Sequence, residues 1–367
     1  MIEKVNLGIL YGGRSGEHEV SLMSARSVLS VINRDKFNVV EIGISRQGQW
    51  FVGEDLWTMM QNDRYDTLMP VIFPPNPQNT GIYSLQNGKL TLFAALDVVF
   101  TVMHGTFSED GTLQGLFELA DIAYVGAGVL GSAACMDKGL FKDVMIANNI
   151  PTLPYRVFNR TEVQSDFESC LDQAEKIAPY PLFTKPANLG SSVGISKCTS
   201  RGDLMEGLME AAQYDRRIVV EKGVQNAREI EISVLGNESP RASVPGEIIP
   251  KDIFYTYSEK YINDTAELLV PAALPEALIA EMQSIAITAY TATDCAGMGR
   301  VDFLIDRDTD EIFLNEINTI PGFTKISMYP KLWEASGIGY AELIEELIKL
   351  ALARKAQRDE TVREFRS

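Results

Sequence analysis

The sequence predicts a chain of mixed α/β and α+β class, folded as three packed units of which the first is a parallel α/β domain. Its 367 residues exceed one ordinary domain of ~100–200 residues. An apolar strand followed by a glycine loop and a helical stretch occurs near the N-terminus and is echoed from Val98 onward. From Glu229 the pattern turns strand-rich and then helical again, which marks a further unit with its own sheet.

The elements follow in order. Residues 5–10 are an apolar run ending in Gly12-Gly13, and Val20, Met23, Val28, Leu29 and Ile32 then recur at helical spacing before an apolar run at 38–44. A second strand at 98–103 runs into His104-Gly105-Thr106, an acidic turn and a helix around 113–119. Helical spacing resumes over 130–147 and stops at Pro151, because proline cannot continue a helix. Strands at 156–158, 181–185, 192–196 and 218–221 then alternate with helices near 163–177 and 204–212. An aperiodic segment at 250–264 precedes a helix at 275–291, two strands, and helices at 329–335 and 340–352, after which the polar tail beyond Ala353 carries no pattern.

Composition narrows the functions. A net charge of -17 repels phosphate backbones and anionic membranes, so nucleic acid and membrane surfaces are disfavoured partners, while a local lysine cluster can still hold a nucleotide. Cys135, Cys170, Cys198 and Cys295 are widely spaced beside only two histidines, which suggests neither a zinc site nor a disulfide framework and fits a reducing cytoplasm. The apolar stretch 90–103 is short and broken by Asp97, too little for a spanning helix, and the N-terminus lacks a signal-peptide pattern.

The most informative pattern is Arg300-Val-Asp302, followed by Glu316-Ile-Asn318. With a turn at 308–310 the two runs pair as a hairpin centred on residue 309, placing Asp302 opposite Glu316 and Arg300 opposite Asn318 on one face. Opposed carboxylates destabilise a sheet unless neutralised, and two acids plus an amide oxygen suit a hard cation such as Mg2+. A solvated face screened by Arg300 is the alternative.

Phe183-Thr-Lys185-Pro followed by Gly190-Ser191-Ser192-Val-Gly194 offers a lysine and backbone N–H groups to a phosphate, although no Walker sequence closes it and a simple turn is the competing reading. The loop Gly12-Gly13-Arg14-Ser15-Gly16-Glu17-His18 has the wrong glycine spacing for a dinucleotide fingerprint, which disfavours NAD. It still puts Glu17 and His18 at the C-terminal edge of a parallel sheet, and His104 occupies the corresponding position after the second strand.

Taken together, GGRSGEHEVSL, VMHGTFSEDGTLQG, CMDK, KPANLGSSVG, REIEISVLG, EKYINDT, GRVDF and NEINTIPGFTKISMYP resemble the D-alanine–D-alanine ligase family of the ATP-grasp superfamily, in order and over nearly the whole chain. The resemblance implies a three-domain ATP-grasp architecture: an N-terminal α/β substrate domain at 1–137, a central domain at 138–226, and a C-terminal domain at 227–367 that carries the metal site and a lid near 250–264. It implies ATP and two Mg2+ (or Mn2+) ions, two molecules of D-alanine as substrates, cytoplasmic residence and a homodimer. It also implies an acyl-phosphate intermediate that a second D-alanine amine displaces.

By motif, Asp302, Glu316 and Asn318 resemble the metal ligands, and Arg300 and the backbone N–H of Gly322 the oxyanion donors. Glu17 resembles the anchor for the first substrate's ammonium and Ser327 the receiver of the second substrate's carboxylate, with His104 beside them. Lys138, Lys185 and Ser192 match nucleotide-phosphate contacts, while Glu221 and Glu229 match the adenine hinge and ribose partner. In the lid, Lys260 matches a γ-phosphate contact, and Tyr261 joins Ser191 and Glu17 in a hydrogen-bonded triad. Tyrosine there resembles the dipeptide-forming members rather than the D-lactate users. Two departures stand out: a longer approach at 224–228, and Leu189 where a polar residue is common. A depsipeptide ligase, a silent ATP-binding homologue and a nucleotide kinase are the competing readings.

Overall fold

The computed structural model describes residues 4–78, 80–86, 88–190, 193–249 and 267–362. Among them the strands form three separate sheets. The first contains β1 (Val5–Gly12), β2 (Phe37–Ile44), β3 (Trp50–Val52), β4 (Met69–Ile72), β5 (Gly81–Gln86), β6 (Lys89–Ala95), β7 (Val98–Thr101) and β8 (Ala123–Tyr124), in the order β6-β5-β4-β3-β2-β1-β7-β8. Helices α1 (His18–Leu29), α2 (Leu56–Gln61) and α3 (Thr112–Leu119) accompany it. β1 pairs in parallel with β2 and β7, and β7 with β8, as the repeated strand–loop–helix pattern predicts. From β2 to β6 the pairing is antiparallel, which corrects the wholly parallel expectation: the β2–β3, β4–β5 and β5–β6 connections are too short for a crossover, and the β3–β4 connection, although it carries α2, also returns the chain antiparallel.

Helices α4 (Val129–Met136) and α5 (Lys138–Ala147) replace the single helix expected over 130–147. Asp137 has extended backbone at ψ 102° and turns its side chain onto the N–H groups of Gly139 and Leu140, ending one helix and capping the next. The central sheet, ordered β11-β10-β12-β9, consists of β9 (Tyr155–Asn159), β10 (Leu182–Pro186), β11 (Ser196–Cys198) and β12 (Arg217–Lys222). It is backed by α6 (Arg160–Ser165), α7 (Phe167–Ala174) and α8 (Arg201–Tyr214). The helix expected at 163–177 is thus two short ones, parted at Asp166, whose φ of -144° is not helical. The strand expected at 192–196 begins only at Ser196.

The third sheet, ordered β15-β14-β13-β16-β17, consists of β13 (Ala227–Gly236), β14 (Arg241–Ile249), β15 (Glu267–Leu269), β16 (Gly297–Asp306) and β17 (Ile312–Asn318). Along β16, Val301, Phe303 and Ile305 are buried, while Arg300, Asp302, Leu304 and Asp306 are half-buried. The buried set packs with Met282, Ala286 and Tyr290 of α9 (Glu276–Ala292) and with Phe141 and Met145 of α5. Burial of a side chain such as Phe303 contributes ~1.5–3 kcal/mol, and period-2 alternation then obliges the polar residues onto the opposite face.

Helices α10 (Met328–Ala335) and α11 (Tyr340–Asp359) complete the described chain. α11 sets Leu343, Ile344, Leu347, Ile348 and Ala351 into the same core as Leu7, Ile9, Val98 and Phe100 of the first sheet. It runs well past the expected end at 352. Arg354 donates to the carbonyl of Gly126 (2.7 Å), Arg358 pairs with Glu118 and Asp121, and Lys355 reaches Asp121 at 3.3 Å, so tertiary partners hold the polar end helical. All four cysteines are buried free thiols, and Cys135 and Cys295 share a hydrogen bond between their sulfurs at 3.5 Å rather than a disulfide.

Candidate active site

The C-terminal sheet supplies the acid face of the site. β16 and β17 pair Arg300 with Asn318 and Asp302 with Glu316, in the register read from the sequence. Beyond Asp302 the register slips, with Phe303 opposite Leu314, so Asn315 is the extra residue of a β-bulge directly beside the paired acids. On the other side, β13 pairs Glu231 with Asp302 and Ser233 with Arg300. One face therefore carries three carboxylates in a row, Glu231, Asp302 and Glu316, and sequence reasoning missed the first of them. Its signal was the alternation in Glu229-Ile-Glu231-Ile, but the partner strand lies ~70 residues away, beyond local pattern.

Cations already answer these acids. Arg300 grips Asp302 with two donors at 2.8 and 2.7 Å and lies 3.1 Å from Glu231 Oε2. Asn318 donates Nδ2–H to Asp302 Oδ2 at 2.9 Å, and Lys138 Nζ stands 3.6 Å from Glu316 Oε2. Lys138 also donates to the backbone carbonyl of Leu189 at 2.8 Å, a contact indifferent to the side chain at 189.

The central sheet faces this row with a second charge cluster. β10 and β12 pair Phe183 with Glu221, so Lys185 is the diagonal neighbour of Glu221 on the cleft face. Glu221 is almost wholly buried, with Lys185 on one carboxylate oxygen and Lys142 on the other at 3.0 Å. Burial alone would raise the Glu221 carboxyl, but the two lysines outweigh it and hold its pKa at about 2. Burial pushes Lys142 below the ordinary lysine range, while for Lys185 burial is outweighed by Glu221 and the acids beyond it and the pKa rises. Lys142 was not singled out from the sequence, where it reads as one residue of an amphipathic helix. Its four-residue spacing from Lys138 was the available signal, since it puts both on one face of α5. Asp137 fixes the start of that helix: Arg217 forks onto it at 2.9 and 3.2 Å, and Asn188 donates at 3.1 Å.

Two cavities open between these surfaces. One of about 910 Å3 is lined by Lys185, Glu221, Glu229 and Asp302, and one of about 610 Å3 by Glu17, His104, Arg300, Asn318, Gly322 and Ser327. Both touch Lys138, Gly190, Glu231 and Glu316, so they meet where Lys138 approaches Glu316.

Behind Glu17, which lines the smaller cavity, Gly105 has φ +76°, and a Cβ built there falls 2.3 Å from Glu17 Oε2, so glycine is what lets the loop lie against the carboxylate. His104 is buried with both ring nitrogens on protein partners: Nδ1–H donates to the Ile320 carbonyl at 2.9 Å, and Nε2 lies 3.0 Å from Ser24 Oγ. Burial lowers the affinity of His104 for a proton, but the neighbouring Glu109 and Glu17 outweigh it and raise the pKa. Ser24 Oγ in turn accepts the Phe323 N–H at 3.3 Å, so Ser24 and His104 bracket Pro321-Gly322 from both sides. Ser327 stands at the N-cap position of α10 without a side-chain capping bond, and its Oγ instead accepts the Thr324 N–H at 3.1 Å.

His18 is placed differently from the expectation that its loop position suggested. It lines neither cavity; its Nδ1–H holds the Gly13 carbonyl at 2.8 Å, a structural role in a fully buried position. Ser191, Ser192, Lys260, Tyr261 and the segment 250–264 lie outside the described residues.

Among the described residues no group of three or more His, Cys, Asp and Glu side chains forms a closed metal site. Asp302, Glu316 and Asn318 instead offer hard oxygen donors on an open face, the kind of set that water and phosphate complete. The residues fit such an ion.

Comparison with known proteins finds relatives over nearly the whole chain. The D-ala D-ala ligase N-terminus family model matches residues 6–127 and the corresponding C-terminus model residues 144–349. The D-alanine–D-alanine ligase of Heliobacterium modesticaldum is 48% identical over 362 residues, covering 98% of each chain. That of Clostridium acetobutylicum is 47% identical over 352 residues, 96% of this chain and 99% of the relative. Among solved structures, the D-alanine-D-alanine ligase from Coxiella burnetii aligns with TM-score 0.84 at 35% identity over 98% of this chain and 97% of its own. The VanG D-Ala:D-Ser ligase from Enterococcus faecalis aligns with TM-score 0.84 at 34% identity over 95% and 100%.

Proposed function

The chain belongs to the D-alanine–D-alanine ligase family, and from that membership we infer that it is an ATP-dependent ligase joining two D-alanine molecules into D-alanyl-D-alanine, for peptidoglycan precursor synthesis. The family's ATP dependence brings a divalent metal with it in general terms. The observation that carries the site reading is the meeting of the two cavities at Lys138 and Glu316, with an acid-and-arginine face on one wall and a lysine cluster on the other.

In this reading ATP occupies the larger cavity, its phosphates near Lys138 and Lys185, with Glu229 toward the ribose and Glu221 at the adenine end. Asp302, Glu316 and Asn318 would hold two Mg2+ ions, which shield phosphate charge during transfer. Glu17 anchors the first D-alanine's ammonium in the smaller cavity, leaving its carboxylate directed toward the terminal phosphate. Arg300 and the Gly322 N–H then receive the oxyanion formed when the second amine adds, and both line that cavity. Ser327 receives the second substrate's carboxylate. For His104 the hydrogen bonds support a role in holding the 320–323 loop at least as directly as a contact to substrate. Ser191, Ser192, Lys260 and Tyr261 complete the set by motif alone.

We place the domains at 1–137, 138–226 and 227–367, supported by the three separate sheets. No helix among the described residues is long and apolar enough to cross a membrane; cytoplasmic residence is proposed from the family membership alone. A homodimer is supported by the exposed apolar side chains Leu85, Leu90, Leu92 and Phe93 on the β5–β6 hairpin.

Incubation of the purified protein with ATP, Mg2+ and D-alanine, followed by mass analysis, is expected to yield the dipeptide with matching ADP and phosphate, and none from L-alanine. Recovery of unreacted D-alanine under all conditions overturns the assignment. D-lactate and D-serine as competing second substrates separate the dipeptide reading from its relatives.

A further inference from the structure

Lys142 is the buried cation that the reaction as described leaves without a task. Its side chain is 1% exposed, it lines neither cavity, and it sits one helical turn beyond Lys138 on α5. Its ammonium lies 3.0 Å from Glu221 Oε2 and 5.7 Å from the centre of the Tyr155 ring. Glu221 separates it from the cleft, and Lys185 occupies the other carboxylate oxygen while still lining the larger cavity.

The charges of this triad decide what Lys185 can do. A buried carboxylate paired with one lysine makes a neutral unit, which has little attraction left for an anion. Two lysines on one carboxylate leave a net positive charge, and the lysine at the cavity wall is where an incoming anion meets it. We propose that Lys142 is a positioning residue that neutralises Glu221 from behind, so that the positive charge Lys185 presents to the phosphates of the nucleotide is not cancelled by Glu221. The proposal rests on the larger cavity being the nucleotide site. Burial lowers the pKa of Lys142 while Glu221 beside it acts in the opposite sense, and the lowered pKa of Glu221 and raised pKa of Lys185 agree with a carboxylate kept ionised beside a cation.

The test is calorimetric titration of the full chain with ADP in the presence of Mg2+, and separately with adenosine, which has no phosphates. Lys142→Met is expected to weaken ADP binding by about tenfold or more, the size of one charge-assisted contact, with adenosine binding within about twofold. Lys142→Arg should restore ADP affinity. Adding Glu221→Gln to Lys142→Met removes the carboxylate as well, leaving Lys185 positive again, and should recover the ratio of ADP to adenosine affinity. A merely structural Lys142 predicts instead that ADP and adenosine weaken together and that the double variant is no better. That result overturns the proposal. Should Lys142→Met not fold, Glu221→Gln alone keeps the test open, since it should raise the ratio by leaving both lysines uncompensated; an unchanged or lower ratio overturns the proposal. Failure of the wild type to bind ADP overturns the nucleotide reading itself, and the proposal with it.

Discussion

Gly105→Ala examines how tightly the first substrate's anchor is set. At φ +76° an alanine costs ~1–2 kcal/mol in backbone strain, before any contact is considered. Its Cβ would lie 2.3 Å from Glu17 Oε2 and 3.3 Å from Ser15 Oγ, so the carboxylate must retreat by ~1 Å to reach an ordinary C···O separation. Glu17 has little room, because it is only 9% exposed. An off-rotamer response adds ~0.5–1.5 kcal/mol, for a total near 2–3 kcal/mol. A carboxylate–ammonium contact displaced by that distance loses much of the ~1.5–3 kcal/mol typical of a charged hydrogen bond, or ~10–100-fold in affinity. Steady-state phosphate release should therefore show KM for D-alanine raised by that factor with KM for ATP unchanged, and a thermal melt should fall by several degrees. An unaltered KM for D-alanine in a variant that melts lower would refute the link between this glycine and the substrate anchor.

Asp302→Asn removes one of the two paired acids and leaves Arg300 without its fork; phosphate release should drop by ~10²–10³-fold or more with the circular dichroism spectrum retained, and normal turnover would sink the metal-face assignment. Ser24→Ala loosens the bracket around Pro321-Gly322, so kcat should fall ~10-fold with KM for ATP unchanged, and Ser24→Thr should recover part of the loss. Glu221 gives an acid-stability prediction. Its folded pKa of about 2 lies below the ordinary 4.5, so it contributes stability above pH 4.5 that is lost as pH falls toward 2, up to ~3 kcal/mol. Melting curves of wild type and Glu221→Gln should converge over that interval; a constant gap would contradict the depressed pKa.

Local pattern carried the sequence reading where function and strand periodicity coincide. The opposition of Asp302 to Glu316 followed from two short runs and one turn, because side chains in a strand alternate and register is set by the turn. The same logic could not see the bulge at Asn315, since it shifts only the distal half of the hairpin. Glu231 and Lys142 were missed for a different reason: one reaches the acid face through a strand far away in sequence, the other reaches Glu221 from a helix ~80 residues earlier, and neither pairing has a local signature. Asp137 looked like a residue within a helix, because its break depends on Arg217 and Asn188 holding the side chain from another unit. The extension of α11 to Asp359 was likewise invisible, as Arg354 finds its partner in the loop after β8 and Arg358 its partner on α3. The contacts of Ser191, Ser192, Lys260 and Tyr261 stay at the level of motif.

The seating of α11 against the first sheet bears on the order in which the molecule can be assembled. Leu7, Ile9 and Phe100 emerge early in synthesis, yet their cover of Leu343, Leu347 and Ile348 is made only after both other sheets have been translated. Until then the opening unit carries an uncovered greasy flank, so a nascent chain halted anywhere before Tyr340 would offer that flank to chaperones and to self-association.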